Sequence, residues 1–409
     1  MSSSATDAAT PVVSAFYDRF PYPGDPLQDG PPPGYNWRWC VDAVVAFVAG
    51  SLPRRGAGQA PRPWRILDAG CGTGVSTDYL CHLNPAARVL AVDISAGALE
   101  VARERLRRSG GARHVQDLRQ EQRSLLDLTD EGDFDYINSV GVLHHLREPE
   151  AGLRALAARL RPGGILHLFL YADGGRWEIH RSQRALALLN AGSGAEGLQL
   201  GRRLFQELPA HNRLRRHHEE RWALDTAADV NFADMYLHPQ ETSYNLERLM
   251  QFVAQSDLTF AGFSNPAEWD PARLLKGELL ARARALPASA QWHLIEALDP
   301  DISHFEFFLR KPLGDAAPLP LGERPQLPDE ALLQARGEVN RCLWGWPSTA
   351  LMGPDLQPID LDPVDLDLLL AIEAAPETAL RDLPLALDCT ERLRRARQLV
   401  DRQLLHPVP

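Results

Sequence analysis

Asp68-Ala69-Gly70-Cys71-Gly72-Thr73-Gly74 decides the fold. The stretch follows a short apolar run, Trp64 to Ala69, and precedes a helical pattern from Val75 to Leu83. Three glycines therefore sit at the carboxyl edge of a strand. Glycine there lets a ligand touch backbone with no Cβ in the way, and in an open α/β sheet that edge is where ligands bind. A dinucleotide fingerprint needs a further glycine three residues after the second, and position 75 is Val75. Starting the count at Gly72 and Gly74 puts Thr77 in that place. Both registers fail, which argues against nicotinamide or flavin binding.

Outward from this loop, strands and helices alternate. Arg88 to Val92 reads as a buried strand, Ser95 to Arg108 as a helix with Leu99, Ala102 and Leu106 on one face, and Asp133 to Val140 as a strand. A helix over Glu150 to Leu160 stops at Arg161-Pro162-Gly163-Gly164, and Ile165 to Tyr171 is the next strand. Such alternation predicts a parallel sheet with helices on both faces. Two later β-rich runs, Leu258 to Phe263 and Phe305 to Arg310, can join the edge of the same sheet. Four units are expected: a Pro- and aromatic-rich lid with one helix around Cys40 to Ala49 (residues 1–62), a main domain (63–311) with a helical insertion at about 175–256, a linker (312–328), and a small helical tail (329–409).

The composition of the 409 residues, 44% hydrophobic and 24% charged, is that of a globular chain. No apolar run approaches the roughly 20 residues of a membrane helix, and the start of the chain lacks the pattern of a signal peptide. The net charge of -11 disfavours general nucleic-acid binding. From Asp360 to Pro409 ten acids face six arginines, which also disfavours DNA reading by the tail. Five cysteines without a C-x-x-C pair read as reduced thiols of a cytoplasmic protein, with no metal site.

Asp93 ends the second strand, nineteen residues past Gly74, where a carboxylate can accept both hydroxyls of a ribose. With the glycine loop, with Leu160-Arg161-Pro162-Gly163-Gly164 and with Asn138-Ser139-Val140-Gly141-Val142-Leu143-His144-His145-Leu146, it resembles the class I S-adenosylmethionine (SAM)-dependent methyltransferases over Trp64 to Tyr171. The resemblance implies a Rossmann-like α/β sheet of seven strands, the last antiparallel, and SAM as cofactor. It implies that Asp68, Gly70, Gly72 and Gly74 hold the methionine part and Asp93 the ribose, and that Ile94, Ser124, Leu125 and Asn138 complete the cofactor site. Many relatives have Asp where Ser124 stands; Leu125 can still pack on the adenine. The tail resembles winged-helix-like units attached to some methyltransferases.

Methyl transfer is an in-line displacement in which the protein mainly aligns the acceptor. A base is needed only when the acceptor holds a proton it will not lose freely. His144 and His145, just past the fourth strand, are the candidates. Two adjacent histidines cannot both face inward, so one is expected to matter. The aromatics Tyr17, Tyr22, Tyr35, Trp37 and Trp39 of the arm are expected to close the pocket as a lid, and acceptor contacts are expected from Tyr17, Tyr22 and Trp37 and from a loop over Asp234 to Tyr244 that brings Tyr236, His238 and Tyr244. The blocks Asp29 to Trp39 and Tyr236 to Gln240 look like a cyanobacterial group of methyltransferases, one activity of which is N-methylation of an asparagine on a phycobiliprotein. Two rivals stay open: a small-molecule O- or N-methyltransferase, and a SAM-binding regulator or scaffold without turnover.

Overall fold

A computed structural model of the protein describes residues 10–34, 36–54, 62–314, 320–343, 345–347, 351–353 and 357–409; Tyr35 lies outside them. In chain order the elements are α1 (Thr10–Arg19), α2 (Val41–Ala49), β1 (Arg65–Ala69), α3 (Val75–Leu83), β2 (Arg88–Asp93), α4 (Ala96–Ser109), β3 (Asp117–Gln122), β4 (Phe134–Val140), α5 (Pro149–Arg159) and β5 (Leu160–Tyr171). An insertion follows: α6 (Trp177–Leu188), α7 (Ala195–Glu207), α8 (Arg213–His217), a π-helical turn (His218–Trp222), α9 (Asp229–Leu237) and α10 (Leu246–Val253). Then come β6 (Thr259–Phe263), α11 (Gly277–Arg284), α12 (Ala288–Leu298) and β7 (His304–Arg310). The C-terminal part holds α13 (Asp329–Gln334), β8 (Arg336–Val339), β9 (Leu351–Met352), β10 (Pro358–Ile359), α14 (Pro363–Ala374), α15 (Cys389–Asp401) and β11 (Leu405–Val408).

The seven-stranded sheet has the order β3-β2-β1-β4-β5-β7-β6. Strands β1 to β5 are parallel, and β7 runs antiparallel to both neighbours. Helices cover both faces, so central strands are buried on both sides; six of the seven β4 residues are buried. Strand order reverses between β1 and β4. A crevice opens there beyond the carboxyl ends of the strands, the usual ligand position in such sheets.

Three expectations need correction. The arm is not wholly extended before Cys40: Thr10–Arg19 is helical. Its only proline, Pro11, stands in the first turn, where a missing N–H costs nothing, and the proline-rich run begins only at Pro21. Asp234 to Leu237 belong to α9 and not to a loop. The tail is not purely helical: β8 pairs with β11 and β9 with β10, both antiparallel. Leu383 to Leu387 form tight turns instead of a helix, and the buried Arg392 guanidinium takes up the Leu380, Leu383 and Leu385 carbonyls, donating to them at 2.7, 3.0 and 3.0 Å. The tail also touches the body, where the Leu52 amide donates to the Pro407 carbonyl at 2.8 Å.

Candidate active site

At the switch point lies a cavity of about 670 Å³. One end is built by strand ends and backbone. Gly70 and Cys71 N–H groups donate to the Val92 carbonyl, which ties the glycine loop to β2. Asp93 then reaches back. Its Oδ2 accepts from the Gly72 amide and its Oδ1 from the Ser95 amide, both at 2.8 Å. Burial pushes the Asp93 carboxyl up, and these amides oppose it. Each oxygen keeps a lone pair for a further donor. Gly70, Gly72, Asp93, Ile94, Ser124 and Leu125 line this end, joined by Arg123 and Trp39.

Two glycines are required sterically. A Cβ on Gly70, where φ is +81°, would come within 2.4 Å of the Val142 side chain. A Cβ on Gly72 would stand 2.3 Å from the Tyr22 carbonyl. The arm therefore crosses directly over the loop. Thr73 fastens it there, its amide donating to the Tyr22 carbonyl (3.0 Å) and its hydroxyl to the Pro23 carbonyl (2.7 Å). Asp68, Gly74 and Asn138, expected at the cavity, do not line it. Asp68 accepts from Ser76 Oγ (2.8 Å), Thr77 Oγ1 (2.6 Å) and Asn138 Nδ2 (2.8 Å), which spends the carboxylate on holding the start of α3. Gly74 is needed where α3 and α4 cross, since a Cβ would lie 2.8 Å from Ala102 Cβ.

The other end is built by side chains from distant segments. Tyr17 and Tyr22 come from the arm, His145 from the turn after β4, Tyr171 and Arg176 from the end of β5, and Asp225 and Asp234 from the insertion. The two histidines of the pair are placed differently. His145 lines the cavity, and His144 is fully buried, its ring stacked on Tyr171 at 3.8 Å. Burial holds the His144 pKa well below the ordinary value. The Gln240 carbonyl lies 2.9 Å from His145 Nδ1 and so takes its proton, which leaves Nε2 as the bare nitrogen. Asp234 accepts from the Tyr17 hydroxyl at 2.9 Å, and burial pushes its carboxyl up. Arg176, over the Tyr171 ring at 3.5 Å, is paired with Glu241 at 2.9 and 3.2 Å. Burial pushes Glu241 up, but Arg176 and His180 outweigh it and hold the carboxyl at about 2.

His238 stacks on His145 with ring centres 3.8 Å apart. Burial, then His145, lowers its pKa to about 2. Ligand atoms of His145, Asp234 and His238 lie within 4.8 Å of one another, a spacing a metal ion could use. The tautomer opposes that use: His238 Nδ1 accepts from the Gln240 amide at 3.1 Å, so its proton sits on the buried Nε2, a donor and not a ligand. Three other expected acceptor contacts belong to the packed interior. Trp37 packs between Phe47 and Phe308, Tyr236 packs on Phe205 with its hydroxyl toward His218 (2.9 Å), and Tyr244 packs on Phe252. Sequence reasoning missed Tyr171, Arg176, Asp225 and His304, and named Asp234 only as part of the Asp234 to Tyr244 stretch. The rule that ligands sit beyond the carboxyl ends of strands points to Tyr171 directly, and to His304 once β7 is known to run antiparallel.

Residues 67–166 match the model of the methyltransferase domain family. An uncharacterized protein of Synechococcus sp. is 48% identical over 409 residues, which span 98% of this chain and 94% of that one. An uncharacterized phycocyanin operon protein W of Pseudanabaena tenuis is 52% identical over 98 residues, 24% of this chain and 87% of that one. Among solved structures, PKMT2 from Rickettsia typhi in complex with AdoHcy has a TM-score of 0.60 at 16% identity, covering 92% of this chain and 77% of that one. Fold and matched domain together define a SAM-dependent methyltransferase of the Rossmann-like class. The chain belongs to the family of the Synechococcus protein.

Proposed function

We propose that this enzyme methylates a nitrogen or oxygen of a protein side chain, and that the side chain is an asparagine amide of a phycobiliprotein. The observation that carries a proton-bearing acceptor is His145. Its Nδ1 proton is held by the Gln240 carbonyl and its bare Nε2 belongs to a side chain that lines the cavity. A neutral imidazole so oriented takes a proton as the new bond forms. The Asp234 carboxyl, which also lines the cavity, offers a second acceptor for an amide N–H. The relative named for the phycocyanin operon supports the choice of protein.

When bound, SAM supplies an electrophilic methyl on a sulfonium. The backbone of Gly70 and Gly72 would hold its methionine part, Asp93 its ribose hydroxyls, and Ile94, Ser124 and Leu125 its adenine. The residues fit, since Asp93 keeps free lone pairs and Gly70 and Gly72 line the cavity with no side chain. Asp68, Gly74 and Asn138 hold the loop from beneath. The arm carries Val13, Tyr17, Tyr22 and Pro23 over the cavity, as a lid that keeps water from the sulfonium. Among the described residues no helix is long and apolar enough to cross a membrane. A cytoplasmic site of action follows from the proposed acceptor.

The covering arm favours one second reading, a small-molecule acceptor enclosed beneath it. Labelled SAM, the enzyme and a cyanobacterial lysate separate the two. Label on a phycobiliprotein peptide, with a mass gain of one CH2 on asparagine, supports the proposal. Label confined to the low-mass fraction supports the second reading and overturns the first.

A further inference from the structure

A chain of buried polar side chains starts at Asp68, beneath the glycine loop, and crosses the sheet. Asn138 Nδ2 donates to Asp68 at 2.8 Å, and Asn138 Oδ1 receives the Trp39 indole N–H at 3.0 Å. His167 Nδ1 lies 2.9 Å from the same Oδ1, and His167 Nε2 lies 3.2 Å from Glu306 Oε1. The other Glu306 oxygen takes Ser264 Oγ at 2.6 Å and pairs with Arg38 at 2.5 Å. His167 is fully buried in the middle of β5.

The atoms in this chain can be assigned one by one. An indole N–H only donates, so the Asn138 atom facing Trp39 is oxygen and its nitrogen faces the Asp68 carboxylate. His167 Nδ1 faces that oxygen and must carry a proton. His167 Nε2 faces a carboxylate paired with a guanidinium, an acceptor, and must carry one too. Removing either proton sets a bare nitrogen against an oxygen in a dry interior, which is costly.

We propose that His167 is a positioning residue of the cofactor site: as an imidazolium it locks the Asn138 amide, and Asn138 then holds Asp68 and the glycine loop in the form that binds SAM. The inference rests on the cofactor reading above. The groups around the ring are Asn138 and Tyr136 on β4, Glu306 and Phe308 on β7, with Asp68, Arg38 and Ser264 one step further. Burial pushes Glu306 up, but His167 and Arg38 outweigh it and hold it at about 2, so the carboxylate stays ionised and cannot return the proton.

The test uses the full chain with nitrogen-labelled histidine. The ring signal missing from His167→Gln identifies His167, and at neutral pH both ring nitrogens should carry protons. A single bare nitrogen overturns the proposal, and this readout needs no cofactor. His167→Gln, which can donate on only one side, should weaken SAM about tenfold and raise KM for SAM more than it lowers kcat; wild-type affinity in a folded His167→Gln overturns the proposal. A wild type that never binds SAM refutes the cofactor reading instead, while the nitrogen signals still decide the charge of His167. Should His167→Gln not fold, the two ring-nitrogen signals of the buried histidine in the wild type at neutral pH carry the test.

Discussion

The two ends of the cavity are built by different means. The end proposed for the cofactor comes from a few short stretches at adjacent strand ends. Gly70 to Gly72, Val75 to Ser76, Val92 to Ile94 and Arg123 to Leu125 supply much of it. The acceptor end gathers side chains from the arm, the turn after β4, the end of β5, the insertion and the start of β7. Backbone binding demands glycines and one acid at set spacing, and so it leaves a pattern in the chain. A side-chain constellation assembled across more than two hundred positions leaves none, as the Tyr17–Asp234 hydrogen bond shows.

If that division holds, damage at one end should spare the other. The largest effect is expected at His145. His145→Asn keeps a polar side chain but removes the base, and turnover at saturating SAM should fall by about 10²–10⁴-fold. His144→Asn should leave the chemistry and lower the melting temperature, since it disturbs a buried ring stack. Near-normal turnover in His145→Asn would make the acceptor a group that needs no base. Next is Gly72→Val. Its Cβ would meet the Tyr22 carbonyl at 2.3 Å, so the arm must lift, and SAM affinity should drop about a hundredfold or more (roughly 3 kcal/mol). Wild-type affinity there would mean that arm and loop are not coupled.

Smaller effects sharpen the comparison. Tyr17→Phe removes the donor to Asp234 and should raise the acceptor KM about tenfold, with the SAM dissociation constant unchanged. Acid should loosen the acceptor end first. Burial depresses the folded pKa of His238 to about 2 and that of His144 well below normal. The unfolded chain binds those protons first, so their contribution to stability is intact above pH about 6.5 and is lost as pH falls below it. Each such histidine should cost about 1.4 kcal/mol per pH unit there. Denaturant titrations should show His238→Gln with a slope shallower by one histidine; an unaltered slope would place His238 in solvent.

The same contrast explains what could be read from the chain. The glycine loop, Asp93 and the strand–helix alternation placed the sheet and the cofactor end, because spacing along the chain maps onto adjacent strand ends in a parallel sheet. Aromatic content was a poor guide at the acceptor end. Trp37, Tyr236 and Tyr244 have the surface to line a pocket, and the structure spends that surface on packing. Asp68 looked like a ligand contact, yet its oxygens are taken by Ser76, Thr77 and Asn138, partners that no spacing rule indicates. The helix of Thr10–Arg19 was hidden by the proline-rich residues after it, although its own residues carry only an N-terminal proline.

The central claim is that Asp93 and the glycine loop hold SAM while the His145 end acts on the acceptor. Calorimetric titration of SAM into wild type, Asp93→Ala and His145→Asn tests it most directly. Asp93→Ala should lose about 1.5–3 kcal/mol of binding, the worth of hydrogen bonds to a charged acceptor, while His145→Asn binds SAM as the wild type does. Unchanged affinity in Asp93→Ala, or an equal loss in His145→Asn, would contradict the account.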